Sequence, residues 1–358
     1  MAIKYLSGNR ATGITTDRVG VESYAAKSWV ELGRATLSSA GNTIDVTGLS
    51  TANYPYLMVL AQTINSGGTT QPRLRFNADT GSNYALRHQR NGAADATDTS
   101  ANSVYLYDAD NTPKFMQIET QNITDQEKMC IGHTVTGGGT AGAGTAPNRQ
   151  ESVFKWANTS DQITSVSINR IYGTGTFATG SEVVVLGSKS SGTDTSKGSF
   201  WQELADVSLS SAGDSLDTGT FTAKKYLWVQ IKRNRTGAVN SRIQVNGDSG
   251  SNYAHRYSGG ANSYSESTST TQTSIYSHAA TSNESFTNYF IINKADQEKL
   301  MIIEEVNGAA AGAGNAPARA EVVAKWTNTS AQITSIQCIN TDSGDLTSGT
   351  SIKVWGSD

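Results

Sequence analysis

Short apolar runs, separated by polar turn residues, recur along the whole chain. Tyr56–Ala61 and Tyr226–Lys232 are largely apolar and flanked by turn residues, as buried strands are. Arg73–Phe76 and Arg242–Val245 alternate polar and apolar residues, which is typical of half-buried strands. No stretch of about twelve residues or more has a helical period. The pattern predicts an all-β protein.

The two halves of the sequence end in similar predicted strands. Val183–Leu186 and Ile352–Trp355 are short apolar segments that we interpret as closing strands. Turn clusters rich in Gly, Asn, Asp and Ser separate roughly eight short strands in each half. This spacing predicts antiparallel, two-sheet, jelly-roll-like β-sandwiches.

The sequence of one domain is repeated along the chain. Trp29-Val30-Glu31-Leu32 returns as Trp201-Gln202-Glu203-Leu204, and the longest match pairs residues 141–165 with residues 311–335. A repeat this long indicates a duplicated domain and not a solenoid. We predict two tandem homologous sandwiches, residues 28–188 and 200–358, joined by a polar linker at 189–199. Residues 1–27 belong to neither copy and form an extended N-terminal arm.

Composition and charge exclude several functional classes. Charged residues make up 16% of the chain, below the roughly 25% of an average soluble domain. Lys and Arg total 28 against 31 Asp and Glu, which argues against nucleic acid as a partner. No apolar run is long enough for membrane insertion, and the first residues do not resemble a signal peptide. We expect Cys130 and Cys338 to be reduced and the chain to be made in a cytoplasm.

One repeated motif resembles the start of a calcium loop. Asn77-x-Asp79-x-Gly81-x-Asn83 has a counterpart that starts at Asn246. Both copies lack the Gly at the sixth position and the Glu at the twelfth position of that loop. An Asx-rich hairpin turn is the better interpretation, and we predict no metal site.

A second repeated motif is glycine-rich. Ala141-Gly142-Ala143-Gly144 and its copy 311–314 lack the Gly-Lys-Ser/Thr sequence of a phosphate-binding loop. We interpret both as surface loops, followed by Arg149 and Arg319, that contact a partner chain.

The sequence offers no convincing catalytic arrangement. The acidic pairs that could act as two carboxylates are Glu127/Glu298, Glu151/Glu321 and Glu31/Glu203. Because each acid recurs in the other copy, we interpret these residues as structural partners of nearby Lys and Arg. The four histidines show no ligand spacing. We predict a non-enzymatic protein without cofactors.

A cluster in the second copy has the composition of a binding surface. Tyr and Arg are favoured at binding hot spots, although a half-exposed strand would have the same sequence. The residues predicted to contact a partner or a glycan, together with their first-copy counterparts, are Tyr253, His255, Arg256, Tyr257, Tyr264, Tyr84 and Arg87.

Several motifs together resemble virion structural proteins of marine tailed phages. They are the start A-I-K-Y-L-S-G-N-R, the phrase F-N-x-D-x-G-S-N-Y-A-x-R at 76–87, D-Q-E-K, A-G-A-G-x-A-P-x-R and K-W-x-N-T-S-x-Q-I-T. The resemblance covers nearly the whole chain. It implies a β-sandwich displayed on a particle, and it implies no catalytic residues.

These observations define a leading hypothesis and three alternatives. The leading hypothesis is a capsid-associated decoration or cement protein of a virion. Its partners would be other virion proteins and further copies of itself, for instance in a trimer. Its anchor would be the N-terminal arm, with Ile3, Tyr5, Leu6 and Arg10 as contact residues. The alternatives are a tail or head fibre module that binds a host receptor or glycan, a double-jelly-roll shell subunit, and a glycan-degrading enzyme.

Overall fold

The computed structural model describes residues 29–189, 198–237, 239–260, 265–276, 284–308 and 316–358. In these residues the chain forms β-strands and no helix, so the predicted pair of similar antiparallel sandwiches is confirmed. The described residues accordingly offer no helix that could cross a membrane. The predicted arm, residues 1–27, and most of the predicted linker lie outside the described residues.

The first domain contains strands β1 to β14. They are β1 (Trp29–Thr36), β2 (Thr43–Val46), β3 (Tyr56–Thr63), β4 (Asn65–Ser66), β5 (Gln71–Phe76), β6 (Tyr84–Arg90), β7 (Ala96–Ala101), β8 (Val104–Tyr105), β9 (Lys114–Gln121), β10 (Lys128–Thr136), β11 (Asn148–Trp156), β12 (Val166–Tyr172), β13 (Thr176–Phe177) and β14 (Glu182–Ser188).

The second domain repeats these strands in the same order. They are β15 (Gln202–Ser208), β16 (Ser215–Asp217), β17 (Tyr226–Arg233), β18 (Arg235–Thr236), β19 (Ser241–Val245), β20 (Tyr253–Gly260), β21 (Ser265–Gln272), β22 (Ile275–Tyr276), β23 (Ser285–Ile292), β24 (Lys299–Asn307), β25 (Ala318–Trp326), β26 (Ile336–Asn340), β27 (Asp345–Leu346) and β28 (Ser351–Ser357).

Each domain has a large and a small sheet. The large sheet of the first domain has the order β1-β14-β3-β9-β10-β11-β6-β7, and the small sheet has the order β2-β12-β5-β8. The second domain has the same two orders with the equivalent strands. The expected eight strands per domain were too few, because two-residue strands such as β4 and β8 are too short to leave a periodic pattern.

A hydrophobic core fills the space between the two sheets of each domain. In the first domain Phe76 from the small sheet packs against Phe154 and Trp156 from the large sheet, with ring centroids 6.5 Å and 5.9 Å apart. Trp156 and its counterpart Trp326 are both buried. Aromatic side chains bury large apolar areas, so these tryptophans contribute strongly to the stability of each sandwich.

The motif that resembles a calcium loop forms a hydrogen-bonded turn. Asp79 Oδ1 accepts the backbone N–H of Gly81 at 2.7 Å, and Asp79 Oδ2 accepts the Asn83 amide at 2.8 Å. The same Oδ2 accepts Trp156 Nε1 at 2.7 Å. These donors hold the pKa of Asp79 below its usual value despite partial desolvation. The Asx-turn interpretation agrees with this geometry. Through Asp79, the turn is hydrogen-bonded to the core residue Trp156.

The D-Q-E-K and K-W-x-N-T-S motifs belong to one structural unit. Lys128 Nζ donates to the carbonyls of Gln126 and Asn158, at 2.8 Å and 3.0 Å, and lies over the Trp156 ring. Lys299 makes the equivalent contacts in the second domain. A buried ammonium group needs hydrogen-bond acceptors, and Lys128 finds them in both motifs. Its hydrogen bonds therefore hold the two motifs together.

Candidate functional site

The two large sheets face each other and enclose a third hydrophobic core. From the first domain, Met58, Leu60 and Phe115 enter this core. From the second domain it receives mainly aromatic side chains, which are Phe200, Trp201, Tyr226, Phe290 and Trp355. The molecule therefore has four layers, in which the two large sheets lie between the two small sheets. Burial of these rings is the main apolar contribution to the contact between the domains.

Equivalent residues of the two domains meet at the centre of this interface. His133 on β10 and Glu304 on β24 occupy equivalent positions, and His133 Nε2 lies 3.1 Å from Glu304 Oε1. Glu151 on β11 and Glu321 on β25 are also equivalent, and the Glu321 carboxyl lies close enough to Glu151 to raise its pKa. Contacts between equivalent residues are what a two-fold axis produces. An approximate two-fold axis therefore relates the domains.

Arg149 is the central cation of the interface. Its side chain is 2% exposed, and its Nε lies 3.1 Å from Glu151 Oε1. Its Nη1 and Nη2 lie 3.7 Å and 3.8 Å from carboxylate oxygens of Glu321 and Glu266 in the second domain. Its counterpart Arg319 is 66% exposed and pairs with Glu321 at 3.0 Å. The expectation that both arginines contact a partner chain is not met for Arg149, which joins the two domains of one chain.

Burial raises the pKa of Glu151 to about 8, with a further rise from the neighbouring Glu321 carboxyl. Arg149 opposes this rise but does not cancel it. Two carboxyl groups that share a buried site cannot both ionise at low cost, so the pair retains a proton at neutral pH.

The glycine-rich loop of the first domain docks on the second domain. The backbone N–H of Thr271 donates to Ala143 O at 2.8 Å, and the N–H of Gly142 donates to Glu298. Arg256 Nε donates to Pro147 O at 3.0 Å. The predicted surface loop thus makes an intramolecular contact. Its counterpart at 311–314 lies outside the described residues.

Lys325 binds the backbone carbonyls of this loop. Its buried ammonium donates to the carbonyls of Gly137 and Thr140, at 2.8 Å and 3.2 Å, and lies 3.2 Å from Glu298 Oε2. The equivalent Lys155 is about 40% exposed and pairs with Glu127 of its own domain at 2.8 Å. The same residue type thus has a different role in each domain.

On one side of the approximate axis the sheets separate and form a cleft of about 470 Å³. Trp29, Met58 and Glu119 line it from the first domain. The lining from the second domain includes Trp228 and Phe286. Aromatic rings beside carboxylates give this cleft both apolar and hydrogen-bonding surface.

Most of the predicted recognition cluster is buried. Tyr253 and Tyr84 lie in the domain cores, where each hydroxyl contacts the backbone of the neighbouring small-sheet strand. His255 and Tyr257 are also buried and pack against Tyr276 of the small sheet. The prediction that these residues contact a partner was wrong, because Tyr84 on β6 and the other three residues on β20 lie on the side of the large sheet that faces the core.

The other predicted contact residues have different locations. Arg256 faces the interface and binds the glycine-rich loop. Arg87 is exposed and pairs with Asp95 at 3.3 Å. Tyr264 and the four arm residues (Ile3, Tyr5, Leu6 and Arg10) lie outside the described residues.

The first domain has a second, smaller pocket of about 290 Å³ at the edge of its small sheet. The His88 ring packs 5.0 Å from the Tyr105 ring, and the Arg73 guanidinium lies 5.2 Å from it. Arg90 pairs with Asp108 at the rim. Burial lowers the pKa of His88 below its usual value, so the imidazole is neutral at neutral pH.

The acidic pairs considered for catalysis form ion pairs. Glu127 and Glu298 bind Lys155 and Lys325, as described above. Glu31 binds Arg34 at 2.8 Å, and Glu203 binds Lys353 at 3.0 Å. In the part of the chain that the structure describes, no group of three or more His, Cys, Asp or Glu side chains is arranged to hold a metal ion.

Sequence reasoning missed the residues that form the cleft and the loop contact. Trp228, Phe286 and Glu266 were not singled out, although a signal was present. Met58, the counterpart of Trp228, is not aromatic, and such differences between copies mark positions where the environments of the two domains differ.

Comparisons with known proteins show no family. No protein-family model matches the chain, and no curated protein matches it. Among solved structures, mouse laminin alpha1 chain domains LG4-5 align with 91% of this chain and 90% of that chain, at 11% identity and a TM-score of 0.20. Neisserial surface protein A aligns at 6% identity with a TM-score of 0.12, covering 79% of this chain and 94% of that chain. These scores are too low to support an argument about fold or function.

Replacement of Lys325 by methionine is expected to destabilise the protein by roughly 1–3 kcal/mol, since two carbonyls and Glu298 lose their donor. Urea denaturation measures this loss. Lys155→Met is the matched control and should change the free energy of unfolding by less than about 0.5 kcal/mol. Equal effects of the two substitutions would contradict the role of Lys325 in docking the loop.

The Glu151/Glu321 pair predicts a stability that falls as pH rises. Because the folded-state pKa of Glu151 lies above its ordinary value, the stability linked to its proton is complete below pH 4 to 5. That stability is lost as pH rises through about 8. Glu321→Gln should therefore raise the Tm at pH 9 by about 2 °C and change it less at pH 5. Glu203→Gln is the control, and a pH dependence unaltered by Glu321→Gln would refute the shared proton.

Proposed function

We propose that this protein is a non-enzymatic structural component of a virus particle, displayed on the capsid as a decoration or cement protein. The observation that supports this proposal is the structural role of the motifs that resemble those of virion proteins. Asp79, Lys128 and Trp156 belong to these motifs and stabilise the first sandwich, and their counterparts make the same contacts in the second. The A-G-A-G loop joins the two domains. The residues of the motifs that resemble virion proteins therefore stabilise the fold, as is expected of a structural protein.

The architecture suits display on a particle. Three hydrophobic cores follow one another through the four layers, so the described part of the chain is a continuous packed block. Cys130 and Cys338 are both free and buried, so this block does not depend on disulfide formation. A protein assembled in a host cytoplasm needs such stability without an oxidising compartment.

The proposed partners are other virion proteins and further copies of the chain, with a trimer as one arrangement. The predicted arm supplies the anchor. A segment outside the sandwiches can gain its ordered contacts from a neighbouring protein, at a cost in conformational entropy that the contacts must offset.

Purified particles test this function directly. Quantitative mass spectrometry and imaging of the protein in place should find copies on the order of hundreds per particle, distributed with the symmetry of the capsid. Alanine replacement of Ile3, Tyr5, Leu6 and Arg10 should abolish attachment while the free protein keeps its Tm. A few dozen copies, located on the tail or on fibres, would reject the decoration role.

The small pocket of the first domain favours a second candidate, a fibre module that binds a host glycan. Arg73, His88, Arg90 and Asp108 present planar polar groups around about 290 Å³, a volume near the lower limit of ligand sites. The positive charges of Arg73 and Arg90 are balanced by the negative charges of the nearby carboxylates. This balance suits a neutral sugar more than an acidic one.

A glycan array tests the second candidate. The wild-type protein should bind neutral glycans, and Arg90→Ala should reduce binding at least about tenfold, the effect of losing roughly 1.4 kcal/mol. Arg87→Ala, on the exposed side of the same strand, is the matched control. An array without binding, or equal losses for both variants, would reject this site.

A further inference from the structure

The approximate two-fold axis divides the interface into a packed half and an open half. In the packed half, Trp201 is 1% exposed and its ring lies 5.8 Å from the Trp228 ring and 6.4 Å from the Phe290 ring. Its counterpart Trp29 is only partly buried and lines the open cleft. A complete two-fold relation would bury both tryptophans, so one half of the interface lacks covering groups.

The exposed apolar side chains confirm this asymmetry. Six large hydrophobic residues of the described part are 43–54% exposed, and they are Tyr56, Met129, Ile131, Val153, Phe286 and Val306. Phe286 and Val306 line the cleft, and Ile131 and Val153 line an adjoining pocket that shares Arg319 and Glu321 with it. Their equivalents in the packed half are all buried, and they are Tyr226, Leu300, Ile302, Val323, Phe115 and Val135.

These exposed residues form contiguous patches on the two facing sheets. Ile131 and Val153 are directly opposite each other on β10 and β11, and Phe286 and Val306 are directly opposite each other on β23 and β24. Contiguous apolar surface of this kind marks an interaction site in soluble proteins. The cleft of about 470 Å³ between the sheets is large enough to accept several side chains.

The path of the chain indicates what covers the cleft. In the packed half, the residues just before β15 enter the space between the sheets, where Phe200 N–H donates to Trp29 O at 3.0 Å. The equivalent residues of the first domain are those just before β1, which begins at Trp29 on the cleft wall. The chain that precedes Trp29 therefore starts at the mouth of the cleft.

The sequence just before Trp29 has a suitable pattern. In an extended conformation of Val19-Gly20-Val21-Glu22-Ser23-Tyr24, Val19 and Val21 would lie on one side and Tyr24 on the other, so that apolar groups would face both sheets. The four residues between Tyr24 and Trp29 span up to about 14 Å when extended, enough to reach into the cleft.

We propose that residues 19–24 of the same chain dock between the two large sheets, with Val19, Val21 and Tyr24 against the exposed apolar residues of the open half. The segment completes the interface as Phe200 and Trp201 complete the packed half. Residues 19–24 lie outside the described residues, so the assignment rests on the cleft and on the continuity of the chain. The proposal is independent of the virion role, since residues 1–10 remain available to a particle.

Cysteine pairs test the position of the segment. Under mild oxidation, the variant Tyr24→Cys with Phe286→Cys should form an intrachain disulfide, identified by peptide mass spectrometry. The control is Tyr24→Cys with Tyr172→Cys, because Tyr172 is 60% exposed on the small sheet of the first domain. Cys130 and Cys338 are buried and should not compete. No disulfide, equal disulfides in both variants, or a disulfide only between two chains would overturn the proposal, the last by identifying a second copy as the occupant.

Truncation gives an independent measurement on the full folded domains. Removal of residues 1–24 should raise the fluorescence of the apolar dye ANS at least about twofold, because the cleft loses its cover. Removal of residues 1–13 should leave dye binding unchanged, although it removes the proposed particle anchor. Unchanged dye binding in the longer truncation would overturn the docking, whereas lost particle attachment in the shorter one bears only on the virion role.

Discussion

The contact between the two large sheets is the constraint on which the rest of the structure depends. It buries Tyr226, Phe290 and Trp355 on the face of the second large sheet that points away from its own sandwich core, together with Trp201 just before β15. Each large sheet therefore carries apolar residues on both faces. An isolated sandwich would expose this second face to water at a cost that grows with the area exposed. The two domains consequently stabilise each other.

Duplication explains how such an interface arises, and divergence explains its asymmetry. Equivalent residues meet at the centre, where Glu151 faces Glu321, as in a symmetric dimer. Away from the centre the copies differ, since Phe290, which packs against Trp201, corresponds to the charged Glu119. Once two copies are joined in one chain, each can adapt to its own environment. The result is one packed half and one open half, and the open half contains the cleft of about 470 Å³.

Buried charge makes the arrangement of the domains specific. Arg149 is surrounded by carboxylates from both domains, and Arg233 pairs with Glu305 at 3.3 Å in the core of the second domain. Buried ion pairs add little net stability, because desolvation opposes the Coulomb attraction. A misaligned pair leaves an uncompensated charge, however, so these groups penalise other alignments of the sheets. Lys325 has the same effect on the glycine-rich loop, whose carbonyls it requires.

The sequence by itself determined the all-β class, the longer strands, the duplication and the turn around Asp79, because period-two alternation and turn chemistry act over a few residues. It also marked Tyr56–Ala61 as a buried strand, since an uninterrupted apolar run indicates burial on both faces. Only the tertiary structure decided which faces meet. Alternation assigns Tyr253, His255 and Tyr257 to one side of β20, but it does not say whether that side is covered, and the small sheet covers it. The different exposures of Lys155 and Lys325, in nearly identical sequence, have the same physical reason: burial depends on what packs against a residue, and that contact comes from a distant part of the chain.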